Sequence, residues 1–471
     1  MEQPKVDRNS NLEEGANKKK YAVLFAYCGT NYHGSQANKN TDTIDDELIT
    51  AFHKAGVISD LNFYDDNKFI KANGWGRAAR TDKGVHAAGN VIHCKLAIVQ
   101  GKEDEAIQRI NDALPSDIRV FKMVRTTKNF NAKNFCDRRL YEYILPVSSL
   151  APYDKDAPPV SIEEDIRQYW EPYKEYLQYE EQKKNGEPIP DPFEETPSNH
   201  QRIKSLATAK RLLSQQAQFD EYPPDAEDAS FGGVIPKTEW PPFLPRALSR
   251  FRACMSLFVG THNFHNYTVS KTGFDASAQR HLLSITVSDP ITVHTTAYLR
   301  IRLDGQSFML HQIRKMIGMS VEVARGKCAL FTVASSLGRG DMITPLAPST
   351  GLFLDQPLFC EYNKKQSEAS RRIDLEDASI LPVRCAFKRA QIYEHIDDQI
   401  QAENPFATWL EGVDRYNKGY CVTYPKKEDV ARMEEEARVA NKMRKQEKDE
   451  KWEKKRKIEN PVWSVSFKQV A

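Results

Sequence analysis

The 471-residue sequence predicts an α+β protein with two mixed α/β sheet domains, an insertion between them and a C-terminal helical extension. Three observations carry that expectation. Segments with apolar residues at every second position interleave with segments at helical spacing, once along residues 21–150 and again along 246–363. The stretch 151–245 between them holds 14 of the chain's 25 prolines and many acids. Beyond residue 425, 22 of the 32 residues at 426–457 are charged, with mixed signs and neither Gly nor Pro.

The elements follow in chain order. Residues 1–20, "MEQPKVDRNSNLEEGANKKK", carry acids and no apolar run, so they read as a disordered leader and not as a targeting peptide. "YAVLFAY" at 21–27 reads as a buried strand. "TIDDELITAFHKAGV" places Ile44, Leu48 and Phe52 on one helical face, with Asp42 or Thr43 as cap. Ile92, Cys94, Leu96 and Ile98 alternate in a half-buried strand. "KEDEAIQRINDALP" is a helix stopped by Pro115, and "DIRVFKMV" and "RRLYEYILP" are strands. In the insertion, one helix is expected in "QRIKSLATAKRLLSQQ", with the rest partly disordered. The second domain opens with the helix "RALSRFRACMSLFVG", continues through the strands "HLLSITVSD" and "AYLRIRLDG", and reaches its strongest helix in "SFMLHQIRKMIGMSVEVARG". There Leu310, Ile313, Ile317 and Ala324 form the core stripe. A branch of extra sequence fills 364–425, and the charged tail at 426–471 is expected to be a long solvated helix.

Composition narrows the functional classes. Hydrophobic residues make up 40% and charged residues 28%, as in a soluble globular protein, and no apolar run is long enough to span a membrane. The eight cysteines have no C-x-x-C spacing and read as buried thiols of a reducing compartment, and no metal is expected at His262 and His265. There is no dinucleotide fingerprint and no phosphate-binding P-loop, so no cofactor is expected. The net charge of +2 hides basic clusters at 18–20, 77–83, 138–139, 314–315 and 451–457, which permit a polyanionic partner.

The chemistry concentrates in "GRAARTDKGVHAAG" at 76–89. A β-turn closed by Gly84 explains Asp82, but not Arg80 on one side and Lys83 and His86 on the other. A carboxylate ringed by cations is held ionised and can act as nucleophile or base, while the cations can bind phosphate. The turn and the catalytic reading stand side by side at this point. Tyr141 and Tyr143 share one strand face, where they either pack in a core or stack on a flipped base. His311, Arg314 and Lys315 share a helix face opposite the core stripe; alone, that is a solvated face. "GLFLD" at 351–355 starts a strand with Leu352 directed to the core.

Together, "GRAARTDKGVHA", "RRLYEYIL", "GTHNFHNYT", "GQSFMLHQIRKMIG" and "GLFLD" occur in the order seen in the tRNA pseudouridine synthase A family, and the chain resembles it over residues 21–150 and 246–363. The opening "YCGTNYHGSQ" and "DTIDDEL" are similar too, with Cys28 where many bacterial relatives have an aspartate. "FKRAQIYEHI", "FATWLEGVDRYN" and the charged tail look like the eukaryotic multisite synthase 1 branch. The resemblance implies one continuous sheet with a central catalytic cleft, and an isomerase that converts uridine in tRNA, with snRNA and mRNA as further partners, to pseudouridine without cofactor. It implies Asp82 as the catalytic aspartate, Tyr141 as the aromatic on the target base, and Arg314 as its pairing arginine. Arg80 would help flip the nucleotide or hold its phosphate. Thr81, Lys83, His86, His311 and Lys315 would contact substrate, and Leu352 would wall the uracil pocket. The branch is mainly nuclear, and "KKRK" at 454–457 suits an import signal. Bacterial relatives are dimers, whereas the insertion and tail here favour a monomer. The alternative reading is a non-catalytic RNA-binding or RNA-folding protein on the same scaffold; an unrelated hydrolase using Asp82 ranks below both.

Overall fold

The computed structural model describes residues 11–38, 41–63, 73–157, 159–185, 190–196, 199–221, 233–415 and 419–459. Ten strands form one continuous sheet. They are β1 (Asn17–Tyr27), β2 (Gly76–Arg77), β3 (Ala87–Ile98), β4 (Ile118–Arg125), β5 (Arg138–Pro146), β6 (Gly260–Asn263), β7 (Gln279–Val287), β8 (Ile291–Val293), β9 (Thr296–Gly305) and β10 (Leu352–Leu358). The order is β4-β1-β3-β10-β5-β9-β7-β6, with β2 on β3 and β8 on β9. The last strand in sequence therefore inserts between two early ones. Its contact with β3 is parallel, with Leu354 beside Ala87, while its pairing with β5 is antiparallel and sets Leu354 opposite Tyr141. This seam is where the two halves of the sheet meet.

Helix α1 (Ile44–Lys54) begins at a capping box in which the Thr43 side chain and the Asp46 side chain each take the other's backbone N–H. With α2 (Glu103–Ala113) it covers one face of β1, β3 and β4, burying Val23, Phe25, Ile92 and Cys94. The other face buries Ala22, Leu24 and Val91 under Phe359, Tyr362, Ile373 and Leu375. β3 was expected to be half-buried, yet Lys95 is its one exposed residue. Both faces are covered because a chain segment over 200 residues downstream folds back onto it, which periodicity in β3 cannot reveal.

The insertion holds more order than its prolines suggested. Helices form at Ile162–Tyr169, Glu171–Lys184, His200–Ser214 and Gln216–Asp220, and Trp170 is fully buried. Ile162, Ile166 and Trp170 recur every fourth residue, and Asp165 pairs with buried Arg250 at 2.7 Å, so the segment is anchored to the second domain. The stretch "YPPDAEDA" at 222–229 lies outside the described residues.

Two long helices, Leu244–Leu257 and Gln312–Ala324, pack against β5, β7 and β9. The second starts later than its pattern suggested. His311 is the N-cap with a left-handed backbone (φ 64°), so Leu310 precedes the helix and is 56% exposed, while Ile313, Ile317 and Ala324 are buried as expected. The extension folds as helices Leu381–Phe387, Glu394–Glu403 and Pro405–Asp414, the first two joined by a wider π turn at Lys388–Tyr393. The charged tail is one helix, Lys427–Glu459.

Candidate active site

Asp82 sits at the tip of a turn whose backbone is pinned on every side. The Tyr27 hydroxyl, at the end of β1, lies 2.8 Å from Thr81 Oγ1. Thr81 N donates to Ser35 Oγ (3.0 Å), and Ser35 N returns a bond to Thr81 O (3.2 Å). Gly84 N reaches Tyr32 O (3.2 Å), and Val85 N closes the turn on Asp82 O (3.2 Å). Two glycines make this docking possible. A Cβ on Gly29 would collide with the Val85 carbonyl, and Gly84 adopts φ +76° at the turn's end. Asn90 Nδ2 holds Ala79 O at 3.0 Å and steadies the approach to the turn. Thr81 is buried, and its role is to fix the loop, whereas Asp82 is exposed.

The surroundings of that carboxylate differ from the cation ring expected of it. Arg80 and Lys83 project into solvent, and among the described residues Asp82 has no ion pair. His86 points away: its Nδ1 accepts from Gly29 N (3.1 Å) beside Cys28 Sγ (3.4 Å), and its ring meets His395 edge-on at 5.6 Å. Burial pushes its imidazole down to about 4, so it is neutral at pH 7 and supplies no charge. Of the three basic side chains, His86 is thus withdrawn into the interior, while Arg80 and Lys83 are exposed with Asp82.

The second half of the sheet contributes the opposite wall. Tyr141 is partly buried on β5, with the Phe308 ring against it edge-on at 5.3 Å. Burial pushes its phenol up to about 12, and Asp82 is among the charges acting on it. Tyr143, by contrast, is fully buried, with its hydroxyl on Pro348 O at 2.7 Å, so it belongs to the core. Burial first, then Arg314 and Lys315, lower the His311 imidazole, while Asp82 opposes them. Asp82 is thus an electrostatic neighbour of both Tyr141 and His311.

The helix cations are less free than a solvated face would be. Arg314 donates from Nε to Ala347 O at 2.7 Å, and burial lowers its pKa. Among the described residues no ion pair joins Asp82 to Arg314, the pair implied by the resemblance. Lys315 gives its ammonium to Asn266 O (3.2 Å) and Thr268 O (2.9 Å). Leu352 stands opposite Tyr143 in register and packs on the core at the start of β10.

The reverse face of the seam holds charges that the sequence reading missed. Glu142 and Asp355 are fully buried, Lys388 Nζ lies 2.8 Å from each, and Arg384 Nη2 lies 2.5 Å from Asp355. The Tyr393 hydroxyl donates to Glu142 at 2.8 Å, and Arg302 approaches Asp355 at 3.6 Å. Burial alone would raise the Asp355 carboxyl, but Arg384, Lys388 and Arg302 together draw it below the usual carboxylate range. A usable signal was present: acids at strand positions flanked by apolar residues in "LYEYIL" and "LFLDQ", and bases inside the apolar helix "CAFKRAQIY".

Among the described residues, His294, Asp397 and Asp398 bring ligand atoms within 4.8 Å of one another, and His294 Nδ1 already bonds Asp397 at 2.8 Å. A groove of about 1350 Å³ lies along β6 beside Arg211, Phe274 and Arg438 and contains none of the predicted site residues. The carboxylate of Asp82 and the ring of Tyr141 lie outside it.

The chain matches the family described as tRNA pseudouridine synthase over residues 254–362. It is similar to tRNA pseudouridine synthase 1 of Kluyveromyces lactis, at 34% identity over 87% of this chain and 72% of that protein. The protein of the same name from Schizosaccharomyces pombe is 30% identical, covering 93% of this chain and 90% of its own length. The chain belongs to the tRNA pseudouridine synthase family. Within the family, it is also similar to the tRNA pseudouridine(27/28) synthase of Saccharomyces cerevisiae, at 32% identity over 83% of this chain and 98% of that one. The matched family region contains the helix of Arg314 and strand β10 but stops short of the Asp82 turn, so the position of that turn rests on the geometry above.

Proposed function

We propose that this synthase isomerises uridine in tRNA to pseudouridine, with Asp82 as its catalytic carboxylate. One observation carries the assignment. An exposed carboxylate without an ion pair stands on a backbone-pinned turn, within electrostatic reach of a half-buried tyrosine and a histidine from the other half of the sheet. In the reaction the N1–C1′ bond breaks, uracil turns over, and C5 bonds to C1′; C5 loses its hydrogen as a proton and N1 gains one, so no oxidant or reductant is needed. Asp82 either attacks C1′ or removes the 2′ proton, and both routes require it ionised and uncommitted. Tyr141 offers the ring on which the flipped uracil stacks, backed by Phe308. Arg80, Lys83 and His311 face the nucleotide's phosphates and sugar. The Arg314 Nη groups make no hydrogen bond among the described residues and are available to the substrate. Thr81 and His86 position the turn, Lys315 fastens its helix to residues 266–268, and Leu352, opposite Tyr143 at the start of β10, would wall the uracil pocket.

The uridine must leave its stack, at a cost of about a few kcal/mol, which phosphate contacts offset in a salt-dependent way. A site that reads one extruded base also accepts snRNA and mRNA uridines in a suitable fold. We place the protein in the nucleus on the basic "KKRK" run at 454–457, and as a monomer because the helical insertion packs over the second domain. Replacing that run with alanines should move a fluorescent fusion to the cytoplasm, and light scattering should give the monomer mass.

The deciding experiment measures tritium released from tRNA labelled at uridine C5, with wild type and Asp82→Ala side by side. Release by wild type, absent in the variant while tRNA still binds, supports the assignment. Binding without release by wild type would favour a non-catalytic RNA-binding role.

A further inference from the structure

Leu310 was expected in a core stripe and is instead 56% exposed, immediately before the N-cap His311. Single exposed leucines are ordinary on protein surfaces. This one differs in how firmly its loop is held and in what flanks it. Thr268 Oγ1 donates to Leu310 O (2.9 Å), and Met309 N donates to the buried Gln312 Oε1 (2.9 Å). The Phe308 ring packs on Tyr141, and His311 takes a left-handed backbone under the electrostatic influence of Asp82. One guanidinium also spans the opening. Arg139 donates to Gln306 O (3.3 Å) on this loop and to Ala78 O (3.0 Å) on the approach to the Asp82 turn. The loop at 306–311 is therefore a rigid lip facing the carboxylate, and it presents a branched apolar side chain to solvent.

Such a side chain has a use where a base must leave its stack. Apolar wedges inserted at a base step fill the space and offset the unstacking cost. The geometry points to Leu310 as a specificity-determining wedge that enters the RNA stack at the position vacated by the target uridine. This rests on the assignment of Asp82 and Tyr141 to the reaction. It predicts that Leu310 matters for uridines held in structure and not for uridines already free.

The test compares kcat/KM for C5-tritium release from two RNAs: the same uridine in a base-paired tRNA stem and in an unpaired strand. Wild type, Leu310→Ala and Leu310→Met are measured on both, with thermal melting as a check on folding. Leu310→Ala is expected to lose about tenfold or more on the stem and to stay within about twofold on the unpaired RNA, with Leu310→Met recovering most of the loss. A 2-aminopurine placed beside the target should brighten less on binding the alanine variant. Equal losses on both RNAs, or no loss on either, overturn the wedge. Wild type inactive on both would instead strike the assignment of Asp82 on which the wedge depends.

Discussion

Asp82 and Asp355 belong to the same seam between the sheet's halves and are treated in opposite ways. Asp82 lies in a run dense with charge, "RAARTDKGVH", yet it is exposed and without an ion pair among the described residues. Asp355 lies in an apolar run, "GLFLDQPLF", yet it is fully buried with Arg384 and Lys388 at 2.5 and 2.8 Å. The buried carboxylate serves structure: with Glu142 it ties β10 and β5 to the extension's helix Leu381–Phe387 and the π turn after it. The exposed one is held in place only through its backbone, which leaves both oxygens for a substrate. A catalytic carboxylate has to be positioned without being neutralised, and pinning the main chain achieves that where a salt bridge would not.

The contrast can be broken directly, and the largest expected effects lie there. Asp82→Asn should reduce isomerisation by on the order of 10³-fold, as removal of a general base or nucleophile does, while moving stability by less than about 0.5 kcal/mol. Asp355→Asn should do the reverse, destabilising by about 3–5 kcal/mol in urea titrations because it leaves Arg384 and Lys388 buried against a neutral partner. If Asp355→Asn folded normally, or Asp82→Asn melted early, the division of labour between the two would be wrong.

This comparison also explains what was legible in the sequence. Elements whose neighbours are close in the chain could be read: the Thr43-capped helix, the alternation in "AYLRIRLDG" and the turn forced by Gly84. The motif points to Asp82, but the ring of cations its sequence suggests is not complete in the fold, because His86 turns inward and is neutral. Long-range assembly was not legible. Glu142 and Lys388 are 246 residues apart, Arg139 joins Gln306 to Ala78, and nothing in either local pattern pairs them. Leu310 failed for a different reason: the helical period continues back through it, but left-handed His311 is the N-cap, so the helix starts only at Gln312.

The two faces should separate again by pH. His86 has a folded pKa of about 4 against an unfolded value of 6.5, and His93, whose ring accepts from Ala132 N at 3.1 Å, is lowered to about 4 as well. A depressed imidazole means that the unfolded chain binds the proton first. The stability it contributes is complete above pH 6.5 and is lost as pH falls from 6.5 toward 4, with a ceiling of about 3 kcal/mol for each histidine. Melting temperature should therefore decline across that window. His86→Gln should remove part of the decline and leave the rest, since burial also lowers the imidazoles of His93, His262, His265 and His311. An unchanged slope in the variant would mean that His86 is not buried neutral beneath the turn.

The smallest effect is expected at Arg139, and it sharpens the comparison most. Lys388, on the reverse face, neutralises carboxylates, whereas Arg139, on the cleft side, touches two backbone carbonyls and spans the opening. Arg139→Gln should cost about 1 kcal/mol of stability, in line with partly exposed hydrogen bonds. Its catalytic effect should exceed that, because the lip at 306–311 and the turn at 80–84 would no longer share one clamp, and small misplacements of a carboxylate relative to its target are costly. A fall in kcat of about tenfold with unchanged tRNA affinity is the expected result. A fall in affinity alone would mark Arg139 as a phosphate contact instead, and the cleft would then be held together by the seam of β3 and β10.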